Sequence, residues 1–191
     1  PNATHLLQPK GIIRLEDVSY AYSSRDNNQS HPVLHHINLV LEPNKLIVLV
    51  GSSGSGKSTL LKLLLRMMDP TEGALLFDGI PYQDIQLKSL RQQFAVMMQR
   101  NHVFSGTLRT HFFIPGQDID DQKIWNALEL VAMADYVKQL PQELDSPLKE
   151  DGLNLSGGQR ARLDLARTFL LDSPVLLLDE IVAHLDQTRR E

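Results

Sequence analysis

The stretch "LIVLVGSSGSGKSTLLKLLL", residues 46–65, constrains the fold more than any other part of this 191-residue chain. Five consecutive apolar residues predict a fully buried strand of the kind found in parallel sheets. Leucines at helical spacing after Thr59 predict a helix, which Asp69-Pro70 stops. Between them lies G-x-x-x-x-G-K-[ST] in its confirming context, strand before and helix after. The glycines let successive N–H groups point into the turn, and the new helix adds its positive end, so the loop suits a phosphate group. Gly51, Ser52, Ser53, Gly54, Ser55, Gly56, Lys57, Ser58 and Thr59 are therefore candidate binding residues. Lys57 would reach β- and γ-phosphates, and the Ser58 hydroxyl would ligate magnesium. A glycine turn that binds nothing leaves both flanks unexplained.

The rest of the chain predicts an α/β architecture. "GIIRLEDVSYAY" alternates apolar and polar residues as a half-buried strand does, and "VLHHINLVLEP" reads as its antiparallel partner beyond a polar hairpin tip. "GALLFDG" predicts a strand, "IQLKSLRQQ" a short helical piece and "FAVMMQ" a further strand. From about residue 100 to 153 the pattern is mainly helical, with Ile124, Leu128, Val131 and Ala132 on one face. "LNLSGGQRARLDLAR" opens a helix after a double glycine, and "VLLLDE" predicts a second fully buried strand. Strands of parallel type joined by helices, with a helical block between them, define an α/β core carrying a helical insertion.

That second strand delivers Asp179 to its C-terminal edge, where ligands bind in open α/β sheets. Asp179 can hold a magnesium ion, and Glu180 can orient and deprotonate an attacking water, the role phosphoryl transfer requires. A helix-capping Asp-Glu pair is the plainer alternative. His184 invites a general-base reading beside these carboxylates, whereas the His35-His36 pair faces opposite sides of a strand and cannot easily share one ion. Arg160, Arg162 and Arg167 read as a solvated helix face, and the Met67-Met68 and Met97-Met98 pairs as packing.

Composition limits the function classes. The chain has no cysteine, hence no disulfide or thiolate metal site, and a net charge of -4 gives no reason to expect nucleic acid. Its longest apolar runs fall far short of a membrane span. Residues 1–10 read as a linker from something upstream.

The motifs in order, with LSGGQ at 155–159 ahead of the Asp-Glu strand, resemble the ABC ATPases from Gly11 onward. That resemblance implies a P-loop NTPase core with an N-terminal antiparallel β subdomain and an inserted helical subdomain: residues 11–92 and 161–191 as ATP-binding core, 93–160 as helical subdomain. It implies ATP and Mg2+ as ligands, Tyr22 stacking on adenine (with Tyr20 on the same strand face as the alternative), and Gln99 touching magnesium. By the same resemblance Ser156, Gly157, Gly158 and Gln159 serve the nucleotide of a second ATPase domain, identical or not, in a head-to-tail dimer, and Asp186 crosses that interface. Catalysis would fall to Glu180, Lys57 and Gln99, and metal binding to Ser58, Gln99 and Asp179.

Within the family, "LKSLRQQFAVMMQRNHVFSGTLRTHF" and "LKEDGLNLSGGQ", with Glu150, resemble exporters. A transmembrane domain fused upstream and a place on the cytoplasmic face of a membrane are then expected, with a soluble ABC ATPase acting as a clamp in DNA repair or translation as the alternative. Ile181, Val182 and His184 depart from the family's usual "DEATSALD", and Asp164 stands where an apolar residue is common. The family's switch histidine follows the D-loop by another helix and strand, which makes His184 a bystander and implies that residues 1–191 hold most of an ATPase rather than all of it.

Overall fold

The computed structural model describes residues 3–6, 9–23, 30–98 and 103–179. These fall into two compact units, Pro1–Phe94 with Ser173–Leu176, and Ala95–Asp172 with Leu177–Glu191.

The first unit is built on a four-stranded sheet in the order β2-β1-β3-β4, with β1 at Ile13–Ser23, β2 at Ser30–Leu41, β3 at Glu72–Phe77 and β4 at Ile80–Pro81. All three pairings are antiparallel, and Ile13 sits opposite both Leu41 and Phe77. Ile13, Leu15 and Val18 are buried although the last is three residues on, because a bulge slips the register between Leu15 and Val18. Asp17 (φ 51°) lies in that bulge, and His36 (φ 48°) lies in the next register slip, between Val18 and Tyr20. The Asp17 carboxylate meets His36 Nδ1 at 3.0 Å, and the Asp17 amide donates to Asn38 Oδ1 at 3.0 Å. Gly73 faces the bulge, and a Cβ there would collide with the Asp17 and Glu16 carbonyls.

Helix α1, Lys57–Leu64, buries Thr59, Leu60, Leu61, Leu63 and Leu64, and α2 spans Leu87–Arg91. The described part of the expected linker is docked on this unit: the Lys10 amide donates to the Asp78 carboxylate at 2.7 Å, as the Ile12 amide just beyond it does at 2.9 Å, and the Leu6 amide donates to Ser89 Oγ at 2.9 Å.

Two strand expectations need correction. Residues 45–50 form no strand, and Leu46, Val48 and Val50 are 91%, 70% and 89% exposed. An apolar run is buried in a sheet only with ladder partners and covered faces, and among the described strands none pairs with it. Strand β8, Val175–Leu178, pairs with β5, Phe94–Met97, but Leu176 and Leu178 stay exposed rather than fully buried.

The second unit holds a short antiparallel pair, β6 (Gly106–Thr107) and β7 (Pro147–Leu148), with helices α3 (Leu108–His111), α4 (Asp121–Leu130), α5 (Ala134–Lys138) and α6 (Gly157–Phe169). Its core gathers Leu108, Phe112, Ile124, Leu128, Met133, Val137 and Leu163. The helical face anticipated over 124–132 breaks at Ala132, which turns left-handed at φ 54° and is exposed. Asp120 caps α4 through the Lys123 amide at 2.8 Å.

Candidate functional site

In the first unit, the start of α1 is left open by its own sequence. The N-cap is Gly56, at φ 93°, and no side chain caps the first-turn amides. A side chain at Gly56 would lie 2.8 Å from Leu34 Cδ2 and 3.2 Å from the Val33 carbonyl, so both conformation and crowding demand glycine. The preceding loop closes on Lys57, whose Nζ donates to the carbonyls of Gly51 at 2.7 Å and Ser52 at 2.9 Å and to Ser55 Oγ at 3.4 Å. Residues 51–55 and Ser58 are exposed. Uncapped amides, a helix N-terminus and one ammonium are together suited to an anion such as a phosphate group.

Beside it, the Tyr22 hydroxyl lies 3.2 Å from Thr59 Oγ1, and the Tyr22 ring meets Tyr20 edge-on at 5.0 Å between centroids. Sequence reasoning named both tyrosines but had no means of seeing the bond to Thr59, which joins residues 37 positions apart.

In the second unit, the start of α6 is closed. Ser156 Oγ accepts from the Gln159 amide at 3.1 Å, while Gln159 Oε1 accepts from the Ser156 amide at 2.8 Å. This is a complete capping box, and the S-x-x-Q spacing signals it in the sequence. The double glycine therefore lies inside the first turn rather than ahead of it. Its amides lie in the first turn of the helix, where an anion is favoured.

The mounting of α6 also corrects an expectation. Arg167 is no solvated ornament: Nε donates to the His111 carbonyl at 2.8 Å, an Nη donates to the Phe113 carbonyl at 3.3 Å, and the guanidinium lies 5.0 Å over the Phe104 ring. Burial depresses its pKa. His111 is fully buried, and its Nδ1 accepts from the Phe104 amide at 3.4 Å, which puts the ring proton on Nε2. Burial first, and the Arg167 charge second, lower the His111 pKa to about 4. Arg109 binds Asp145 through two bonds of 2.8 and 3.1 Å and also Asp121, tying α3 to α4 and to the 3₁₀ turn Glu143–Asp145. Hydrogen bonds to Asp145 and then Asp121 raise its pKa, and the same bonds hold the Asp145 carboxyl below its usual range.

Asp179 follows β8, with its amide bonded to the Met97 carbonyl at 2.9 Å. Glu150 opens the 3₁₀ turn Glu150–Gly152 and is exposed. Met97 is buried, whereas Met67 is 58% exposed. Gln99, Glu180, His184 and Asp186 lie outside the described residues. Among the described residues no group of three or more His, Asp or Glu side chains could hold a metal, and no helix is long and apolar enough to cross a membrane.

A glycine loop closed on a lysine at the start of a helix defines the class as a P-loop NTPase fold. The ABC transporter family model matches residues 34–183, and the chain belongs to that family. It is 39% identical over 178 residues to an ATP-dependent lipid A-core flippase of Saccharophagus degradans, covering 93% of this chain and 30% of the relative. It is 38% identical over 186 residues to an uncharacterized ABC transporter ATP-binding protein of Bacillus subtilis, covering 97% of this chain and 32% of the relative. A solved structure of a bacterial Atm1-family ABC exporter with ATP bound superposes with a TM-score of 0.86 at 30% identity, over 98% of this chain and 32% of the other. The chain thus spans about a third of the length of these relatives.

Proposed function

We propose that this chain is the ATP-binding and ATP-hydrolysing domain that powers substrate export, working as a head-to-tail pair around two ATP. The observation that carries the reading is the uncapped start of α1 with the Lys57 ammonium held inside the glycine loop. Likeness to exporters, one of them solved with ATP bound, supports it.

In this reading Gly51 to Thr59 cradle the phosphates and Tyr22 stacks on the base. Residues 11–92 and 161–191 act as the ATP-binding core and 93–160 as the helical subdomain. The exposed hydroxyl of Ser58, the Asp179 carboxylate and the Gln99 amide are hard oxygen donors of the type magnesium takes. Bound there, the ion would neutralise charge on the transferred phosphoryl group. Glu180 orients the attacking water and accepts its proton. The amides of Gly157 and Gly158, with Ser156 and Gln159, complete the partner's site, and Asp186 reaches across. A transmembrane domain joined upstream would place the domain on the cytoplasmic face of a membrane.

Removing a positioned base costs about 10²- to 10⁴-fold in rate. Glu180→Gln in the full-length protein is expected to retain equilibrium ATP binding and lose turnover by that factor. Hydrolysis at the parental rate would reject the assignment.

A further inference from the structure

We propose that Thr59 is a positioning residue for the nucleobase: its hydroxyl tethers Tyr22, so that the base platform is held in register with the phosphate loop. The inference rests on the reading of Tyr22 as that platform and deepens it. Three observations on the first unit support it. Tyr22 Oη and Thr59 Oγ1 are 3.2 Å apart, within range of an O–H···O bond. Thr59 is buried in the first turn of α1, two residues past Lys57, so its hydroxyl moves only with the phosphate loop. Tyr22 is 37% exposed, so part of its surface is free to meet a ligand, and Tyr20 packs on it at an interplanar angle of 85°, which restricts its swing.

A part-exposed tyrosine near the end of a strand loses rotamer freedom when it stacks on a ligand. A tether made before the ligand arrives removes part of that cost. It also sets the spacing between platform and loop, which a nucleotide must match. The tether is therefore expected to act on ligands that carry both base and phosphates and to be silent for phosphates alone.

The test is equilibrium binding of ATP and of inorganic tripolyphosphate to the full-length protein. One hydrogen bond of this kind corresponds to about a two- to tenfold change in affinity. Tyr22→Phe should weaken ATP by that factor and leave tripolyphosphate unchanged. Thr59→Val should lower the ratio of ATP to tripolyphosphate affinity equally, Thr59→Ser should restore it, and the double variant should be no worse in that ratio than either single one. Full ATP affinity in Tyr22→Phe, or losses that multiply in the double variant, would overturn the tether. Tyr22→Ala separates the two ideas: a loss of ATP affinity there alone keeps the platform and removes the tether, and no loss removes both.

Discussion

Two helices of this chain begin at glycine-rich sequence, and they are opposites. Helix α1 starts at Gly56 with no side-chain cap, next to a lysine folded into its own loop. Helix α6 starts at Ser156 with both halves of a capping box in place and no lysine in its first turn. An open helix end favours an external anion because its amides have nothing else to bind. A capped end is already stable and can only supplement an anion held elsewhere. The difference supports the proposal of a primary nucleotide site at residues 51–59 and an auxiliary role for 156–159.

The largest effect is expected at the open end. Lys57→Ala in the full-length protein removes the loop's ammonium, and ATP affinity should fall by at least about 10²-fold, as for loss of a charge-assisted contact at two phosphates. Titration with ATP in magnesium buffer checks this, and binding within a few-fold of the parent would erase the contrast between the two helix starts.

The next effect concerns the mount of α6 and is read in pH. Folded His111 has a pKa of about 4 against an ordinary 6.5, so the unfolded chain takes up its proton first. Stability from keeping this ring neutral is complete above pH 6.5 and is lost as pH falls from 6.5 toward 4, by up to a few kcal/mol. Asp145, with its carboxyl depressed by Arg109, loses its contribution only at pH below the usual carboxylate value of 3.8, so the two windows separate. Thermal unfolding of His111→Asn and of the parent across pH 4 to 7 should show a flatter profile for the variant. Parallel profiles would show that the ring does not govern this slope.

The smallest effect falls on the capping box. Gln159→Ala removes one of its two bonds and should cost about 0.5–1 kcal/mol of stability, with ATP affinity unchanged. A variant as defective in ATP binding as Lys57→Ala would give the auxiliary helix a primary role.

How much of this was legible in the sequence depends on the range of the interaction. The capping box and the glycine loop join residues three to six positions apart, and their spacing is visible in the text of the chain. The antiparallel β unit was legible through alternation and turn chemistry. The register slips at Asp17 and His36 were not, because nothing in a period-two pattern announces where a register slips. The exposure of 46–50 escaped for another reason: hydrophobicity states what a segment can bury, not whether partner strands are present to bury it. The tether of Tyr22 to Thr59 and the hold of Arg167 on the His111 carbonyl join distant residues, so only the fold reveals them. Gln99, Glu180 and Asp186 were named from the sequence alone and remain proposals.

The most direct measurement sets the two helix starts side by side: equilibrium ATP binding and steady-state hydrolysis by full-length Lys57→Ala and Ser156→Ala. The first should lose binding and turnover together. The second should bind ATP within about threefold of the parent while hydrolysis falls at least about tenfold, because in the proposed pair its site would serve a partner's nucleotide only as the reaction is assembled. Loss of ATP binding in Ser156→Ala to the extent seen for Lys57→Ala, or undiminished hydrolysis by either variant, would contradict the account.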